Sequence, residues 1–123
     1  MNYALIGCGR IATNHIKAAL NNELSIVAVC DVEASHMETL LEKHDLQKEV
    51  SIKRYTDYRK MIREQKLDLV SIATESGCHA EIALYCIAHG IHVIIEKPMA
   101  MSMKDADEII RLSEEKHVKV SAC

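Results

Sequence analysis

The sequence contains few aromatic residues and a single proline. Phe and Trp are absent, and four tyrosines account for all of the 3% aromatic content. Proteins that bind single-stranded nucleic acid stack bases on aromatic rings and present a basic surface. This chain has a formal net charge of −3, with acidic and basic residues interspersed. We therefore expect no nucleic-acid partner.

The sequence also lacks a long apolar run. No segment approaches the roughly 18 apolar residues that a membrane-spanning helix requires. The N-terminus enters a strand-like run at once, without the charged region and cleavage site of a secretory signal. These features predict a cytoplasmic protein with no membrane partner.

Paired cysteine motifs are missing as well. The five cysteines are odd in number and form no CxxC pair, so we expect neither a disulfide framework nor a metal site. Cys30 and Cys86 lie in apolar contexts typical of core thiols. Cys8 adjoins a predicted helix start, which could lower its thiol pKa and make it reactive.

What the sequence does contain is a regular alternation of short apolar runs and amphipathic stretches. Hydrophobic residues make up 49% of the chain, enough for an aliphatic core. The six predicted strands are Tyr3–Ile6, Ile26–Cys30, Val50–Arg54, Leu69–Ala73, His92–Glu96 and Val118–Ala122. Five helices are predicted: Arg10–Asn22, Glu33–His44, Thr56–Gln65, Ser76–His89 and Ser102–His117. Thr56 would be an N-cap, Ser102 would begin a capping box, and Gly90 would follow the end of the fourth helix.

Strands separated by helices of this length imply crossover connections and a parallel sheet. Strands one, two, four and five are continuous apolar runs, as central strands of such a sheet are. Strands three and six alternate polar and apolar residues, which suits sheet edges. The sequence predicts one domain over residues 1–123, a doubly wound α/β fold of the Rossmann type with strand order 3-2-1-4-5-6. Its crevice would lie at the carboxyl ends of strands one and four.

A glycine-rich motif follows the first strand. It reads Gly7-Cys8-Gly9-Arg10-Ile11-Ala12, a G-x-G-x-x-A pattern. Gly7 permits a tight turn, Gly9 lets the backbone approach a pyrophosphate, and Ala12 allows close packing of helix and sheet. Unpaired backbone N–H groups at the helix start would then face the diphosphate. The alternative is a tight turn that binds no ligand.

An acidic residue follows the second strand. Asp31 lies 19 residues after Ala12, where a carboxylate accepts hydrogen bonds from the adenosine ribose and repels a 2′-phosphate. The position predicts NAD as cofactor in preference to NADP. The alternative is that Asp31 only caps the following helix.

Two further loops are expected at the nicotinamide end of the crevice. Glu96-Lys97-Pro98 follows strand five, and Lys97 there could donate a hydrogen bond to a reacting hydroxyl. The alternative is a strand-end salt bridge, and Pro98 could follow a cis bond. The loop after strand four, which includes Thr74 and Glu75 and leads to His79, should border the nicotinamide ribose.

Together these segments resemble the Gfo/Idh/MocA family of NAD(P)-dependent oxidoreductases, which act on sugars, sugar nucleotides, inositols and dihydrodiols. The resemblance spans essentially the whole chain. It is carried by the glycine-rich motif, Asp31, Ala73-Thr74 with His79, Ala83-Leu84, His89-Gly90-Ile91-His92-Val93 and Glu96-Lys97-Pro98.

The resemblance implies a role for each matching residue. Lys97 corresponds to the catalytic lysine and Glu96 to a cofactor-side partner. Thr74 and His79 map to the cofactor loop, and Asp31 to the ribose-binding acid. Glu75 departs from the pattern, since the family often has proline there, and it could contact ribose or substrate.

The resemblance also implies a two-domain plan, with a C-terminal substrate domain that is absent from this chain. That domain would supply most substrate contacts and the usual homo-oligomer interface. The expected activity is hydride transfer between a secondary alcohol of a sugar-like substrate and NAD, whereas these 123 residues alone should bind without catalysis. Two alternatives remain open: an NAD-binding sensor without chemistry, and a domain that binds another adenine nucleotide.

Overall fold

A computed structural model describes residues 1–122, which form one α/β domain. Its sheet has six parallel strands in the order β3-β2-β1-β4-β5-β6, which confirms the predicted topology. The strands are β1 Asn2–Ile6, β2 Ser25–Cys30, β3 Lys53–Tyr55, β4 Leu69–Ile72, β5 His92–Ile95 and β6 Val120–Ala122. The helices are α1 Ala12–Asn21, α2 Ala34–Lys43, α3 Tyr58–Glu64, α4 His79–Ala88 and α5 Met103–Lys116.

The register of the sheet aligns the last residues of the strands. Ile6 of β1 pairs with Cys30 of β2 and with Ile72 of β4. Cys30 pairs in turn with Tyr55 of β3, and Ile72 with Ile95 of β5. Because all strands run in the same direction, the loops that follow them emerge at one edge of the sheet. Residues far apart in sequence therefore meet at that edge.

The sheet separates two hydrophobic clusters. Tyr3 and Leu5 of β1 point into the cluster that α1 and α2 cover. Ala4 and Ile6 point the other way, into the cluster that α3, α4 and α5 cover. Successive side chains of a strand face opposite sides of the sheet, so burial on both sides explains why β1 is apolar throughout.

The third strand exists, but it begins three residues later than predicted. Val50 and Ser51 do not enter the sheet, and Val50 is 86% exposed. The strand forms only at Lys53–Tyr55, where three residues pair with β2. Ile52, just before it, is buried in the α1–α2 cluster and anchors the edge. A strand of three residues is too short for the alternation of polar and apolar side chains to show where it begins and ends.

Two predicted helix starts also need correction. The N-cap of α3 is Asp57 and not Thr56, because the Asp57 carboxylate accepts a hydrogen bond of 3.0 Å from the Arg59 backbone N–H. Ser76 does not cap α4 with its side chain; it begins a short 3₁₀ turn, and α4 starts at His79. The 3₁₀ turn delays the regular helix by three residues.

Two other predictions, for the start of α5 and for the end of α4, are confirmed. The Ser102 Oγ accepts a 3.1 Å hydrogen bond from the Asp105 N–H at the start of α5. Gly90, just past α4, has a φ of +75°, the left-handed conformation that favours glycine after a helix. Within the described residues, no helix is both long enough and apolar enough to cross a membrane.

The central position of β4 predicts a strong response to truncation of Ile72, which is completely buried. Ile72→Ala should lower the free energy of unfolding by about 2–5 kcal/mol, because it leaves a cavity between sheet and helices. Val50→Ala, at an exposed aliphatic residue, should change it by less than about 0.5 kcal/mol. Urea unfolding followed by circular dichroism measures both, and equal losses would contradict the assigned core.

Candidate functional site

The turn after β1 depends on Gly7. Its φ is +96°, and a Cβ there would lie 2.6 Å from the Ala73 carbonyl carbon and oxygen and 2.7 Å from the Thr74 nitrogen. No side chain fits at such distances, and the neighbouring atoms are backbone that cannot move aside. The Gly7 N–H donates a 2.8 Å hydrogen bond to the Cys30 carbonyl. Glycine at this position thus brings the backbones that follow β1 and β4 into contact.

Gly9 differs from Gly7, because the space beside it is open. Among the described residues no atom lies within 4 Å of the position that a Gly9 Cβ would take. The Gly9 carbonyl accepts a 3.1 Å hydrogen bond from the Ala12 N–H, and the Ala12 side chain is buried against the sheet. Helix α1 begins at Ala12, two residues later than predicted, since Arg10 and Ile11 form an exposed turn.

A cleft of about 530 Å³ opens at the carboxyl ends of β1, β2 and β4. Five of the predicted site residues line it: Gly7, Gly9, Asp31, Thr74 and Glu75. Its other walls are Ile6, Cys30, Val32, Glu33, His36, Thr56, Tyr58, Ala73, Cys78, Glu81 and Ile82. The remaining predicted residues lie outside that lining: Cys8, Arg10, Ile11, Ala12, His79, Glu96 and Lys97.

A second, shallower depression of about 590 Å³ lies elsewhere on the sheet. It is lined by Met1, Leu69 at the start of β4, and residues of β5 and β6. None of the predicted site residues reaches it. The cleft at the strand ends is therefore the candidate site, and it coincides with the crevice that the strand order predicted.

Asp31 connects the glycine-rich turn to the start of α2. One carboxylate oxygen accepts a 2.8 Å hydrogen bond from the Cys8 N–H, and the other accepts one of 2.8 Å from the Glu33 N–H. The His36 Nδ1 lies 3.3 Å from the first oxygen. The Asp31 side chain is 10% exposed and lines the cleft. The hydrogen bond from the Glu33 N–H is the one expected if Asp31 only capped the following helix. The same side chain also lines the cleft, where a ligand would lie.

Cys8 does not have the lowered thiol pKa that the sequence suggested. Burial, followed by the nearby Asp31 carboxylate, raises the pKa of the Cys8 thiol to about 12. Its side chain packs into the cluster beneath α1 and α2, and its Sγ lies 3.5 Å from the Cys30 carbonyl oxygen. A buried neutral thiol is inert, so the structure speaks against a reactive role for Cys8.

Apart from His36, the ionisable Asp, Glu and His side chains that line the cleft are acidic. Asp31, Glu33, Glu75 and Glu81 contribute carboxylates, and His36 is the one basic side chain in the lining. Tyr58 donates a 3.0 Å hydrogen bond to Glu81, and burial together with that bond raises the pKa of the Tyr58 hydroxyl. Nowhere in residues 1–122 do three His, Cys, Asp or Glu side chains gather to hold a metal ion.

Glu96, directly after β5, is held by a residue that the sequence analysis missed. The His15 Nε2 lies 3.0 Å from the Glu96 Oε2. His15 is 8% exposed and sits on the buried side of α1. Its signal in the sequence was its place in an apolar stripe with Ala12 and Ile16. The pair joins the helix of the glycine-rich motif to the loop after β5.

Lys97 projects from the loop after β5 and is exposed. In the described part of the chain, no carboxylate lies within 4.0 Å of its ammonium. The strand-end salt bridge that was the alternative for this segment is therefore formed by Glu96 with His15, and Lys97 takes no part in it. The Lys97–Pro98 peptide bond is cis, as the sequence suggested.

His79 lies behind the cleft. Its side chain is 1% exposed, and it is the first residue of α4. The Nε2 lies 2.8 Å from the Thr74 carbonyl oxygen, and the Nδ1 lies 2.8 Å from the Pro98 carbonyl oxygen. The ring therefore connects the loop after β4 to the loop after β5.

The two glycines of the turn should respond differently to alanine. Gly7→Ala should lower the free energy of unfolding by more than the roughly 1–3 kcal/mol of a strained backbone, because its Cβ also overlaps Ala73. Gly9→Ala meets open space and should change stability by less than about 0.5 kcal/mol. Thermal and urea unfolding of both variants provide the test. A Gly9→Ala variant as unstable as Gly7→Ala would contradict the described turn.

Comparison with known proteins places this geometry in a family. The model of an oxidoreductase family with an NAD-binding Rossmann fold, Gfo/Idh/MocA, matches residues 1–122. Inositol 2-dehydrogenase of Salmonella typhimurium is 28% identical over 117 residues, which are 94% of this chain and 33% of that protein. D-glucoside 3-dehydrogenase of Escherichia coli is 32% identical over 112 residues, 89% of this chain and 30% of that protein.

A solved structure agrees with these relatives. The WlbA dehydrogenase of Bordetella pertussis, in complex with NADH and UDP-GlcNAcA, superimposes with a TM-score of 0.85 at 26% identity. The match covers 99% of this chain and 36% of the WlbA chain. This chain thus spans about a third of the length of the proteins that it matches. It belongs to the Gfo/Idh/MocA family of oxidoreductases and has that family's NAD-binding Rossmann fold.

Proposed function

We propose that this domain binds NAD in the cleft at the strand ends and serves a dehydrogenase that acts on a sugar, sugar nucleotide or polyol. The observation that carries the proposal is the meeting of Gly7, Gly9 and Asp31 in one cleft, at the point where the strand order reverses. Dinucleotides bind at this point in doubly wound sheets.

The residues present fit a dinucleotide. The open space beside Gly9 admits a diphosphate against the backbone. Within the described chain no side chain caps the start of α1, although the Ala12 and Asn14 N–H groups already donate to backbone carbonyls. The positive end of the helix dipole there still favours an anion. Thr74 and Glu75 line the cleft on the β4 side, where the nicotinamide ribose would lie. When bound, NAD supplies the carbon that accepts hydride from the substrate.

The acidic cleft supports NAD over NADP. The Asp31 carboxylate lies at the end of β2, and Glu33 follows close by. Ribose hydroxyls can donate hydrogen bonds to a carboxylate, whereas a 2′-phosphate would meet like charge. Glu75 adds another carboxylate to the lining, in the position where the family often has proline.

Lys97 is proposed as the catalytic residue. Lys97 is exposed and lies in the loop after β5, on the side of the crevice that we assign to nicotinamide. A cation there would donate a hydrogen bond to the substrate hydroxyl and stabilise the alkoxide that develops as its proton leaves. The pairing of Glu96 with His15 leaves the ammonium available to substrate.

The substrate class rests on the relatives, whose names specify inositol and a glucoside. We propose a two-domain protein, a homo-oligomer like other members of the family, in which the second domain binds most of the substrate. A sensor without chemistry fits less well, because it has no need for an exposed lysine at the nicotinamide end. The 123 residues alone are proposed to bind NAD without turnover.

The cofactor proposal predicts that the protein binds NAD more tightly than NADP. Asp31→Asn removes the negative charge and keeps one acceptor oxygen, which can serve the Cys8 N–H, whereas the Glu33 N–H loses its side-chain acceptor. It should weaken NAD binding by about tenfold, or about 1.4 kcal/mol, and narrow the preference over NADP. Isothermal titration with both dinucleotides measures the change. Glu42→Gln, at an exposed acid on α2 outside the cleft lining, is the matched control; an equal effect there would reject the role of Asp31.

The catalytic proposal predicts that Lys97→Met in the two-domain protein cuts kcat by roughly 10²–10³-fold, the loss typical of removing one transition-state donor. The Kd for NAD should remain within about twofold, since Lys97 lies outside the cleft lining. Steady-state kinetics with a panel of sugars and polyols, beside NAD titration, measure both values. Lys104→Met removes an exposed lysine from α5 as the control. Full activity of Lys97→Met would reject the assignment.

A further inference from the structure

The four carboxylates that line the cleft differ in what holds them. Asp31 accepts hydrogen bonds from two backbone N–H groups, and Glu81 accepts one from the Tyr58 hydroxyl. In the described part of the chain, the side chains of Glu33 and Glu75 make no hydrogen bond and no ion pair, and both residues are exposed. The carboxylates that are free to act on a ligand are therefore those of Glu33 and Glu75.

The backbone does not require a glutamate at position 75. Glu75 has a φ of −62° and a ψ of 147°, an extended conformation that most residues adopt. Its carbonyl accepts a 3.0 Å hydrogen bond from the Cys78 N–H, which closes the 3₁₀ turn. The turn thus uses the backbone of Glu75 and leaves its carboxylate to face the cleft. A charge that lines a cleft acts on whatever enters it.

The two free carboxylates lie on opposite sides of the glycine-rich turn. Glu33 follows β2, whose end we assign to the adenosine ribose, whereas Glu75 follows β4, on the side that we assign to nicotinamide. A diphosphate over Gly7 and Gly9 would divide a dinucleotide into these two halves. Each carboxylate therefore faces a different half of the cofactor. This placement rests on the NAD site proposed above.

The reaction changes the charge of one half only. The adenosine half is the same in NAD and NADH. The nicotinamide ring is a cation in NAD and becomes neutral when it gains a hydride, two electrons with one proton, from the alcohol carbon, while the hydroxyl proton leaves to solvent. A carboxylate near that ring consequently attracts the oxidised form more than the reduced form. A carboxylate at the adenosine end acts equally on both.

We propose that Glu75 determines specificity for the oxidation state of the cofactor, and that its carboxylate shifts the preference of the site from NADH toward NAD. Repulsion between Glu75 and the diphosphate is common to both forms, so it cancels in the ratio of their dissociation constants. Lys97, the cation on this side, opposes Glu75 but lies outside the cleft lining. The shift favours the release of NADH, and product release limits turnover in many enzymes.

The test measures the dissociation constants of NAD and NADH by isothermal titration at low salt, for the unmodified protein and two variants. In Glu75→Gln the ratio of the NADH constant to the NAD constant should fall by about three- to tenfold, the effect of removing one charge near the ring. Glu33→Gln is the matched control, because it removes an equally exposed and unpaired carboxylate from the adenosine end. It should change both constants by the same factor and leave their ratio as it was.

Salt and a charge-conserving variant separate a charge effect from a hydrogen bond. The change of ratio in Glu75→Gln should shrink when salt is raised to about 1 M, since ions screen an exposed charge. Glu75→Asp keeps the charge and should keep most of the preference.

An equal loss of both forms in Glu75→Gln would indicate a hydrogen bond to ribose and overturn the proposal, as would an equal change of ratio in Glu33→Gln. Binding of both forms with an unchanged ratio would refute the role of Glu75 alone. A protein that bound neither form would refute the NAD site as well.

Discussion

The contact between the turn after β1 and the backbone at the end of β4 is the constraint on which the site depends. A Cβ on Gly7 would lie 2.6 Å from Ala73, so only glycine lets these two chain segments meet. Their meeting places the open backbone of Gly9 above the sheet edge. It also brings the Cys8 N–H within reach of Asp31. The cleft therefore depends on a tight turn in which residue 7 has no room for a side chain.

Side chains then tie the loops together across that edge. Asp31 joins the glycine-rich turn to the start of α2. The Glu96 carboxylate joins β5 to His15 on α1. His79 joins the loops after β4 and β5 through their carbonyl groups. Each connection uses a buried or half-buried polar group, and such groups are costly unless they are hydrogen-bonded. The site is consequently built from pairings whose loss would disturb more than one loop.

Much of the fold was predictable because it depends on local patterns. Apolar runs, helices between them and a glycine-rich turn led to the strand order that the structure has. The predicted ends of strands and helices were wrong where the local sequence pattern was weak, as at the three-residue strand β3. The predicted start of α4 was wrong because a 3₁₀ turn occupies the place of the first helical turn.

The site was predictable only in part. Gly7, Gly9, Asp31, Thr74 and Glu75 line the cleft, as their positions after strand ends indicated. The partnership of His15 with Glu96 spans 81 residues of sequence, and no local pattern signals a pairing over that distance. The proximity of Cys8 to a helix start could be read from the sequence, whereas its burial, which raises the pKa of its thiol, could not.

The absence of tryptophan has an optical consequence. The near-ultraviolet aromatic absorption and emission of these 123 residues come from four tyrosines alone. Tyr3 is enclosed beneath the glycine-rich helix, whereas Tyr58 lines the cleft beside Glu81. A ligand that fills the cleft would change the surroundings of Tyr58 and so its emission, while the signal from Tyr3 stays as background. The chain therefore carries its own fluorescent reporter of occupancy, with no label required.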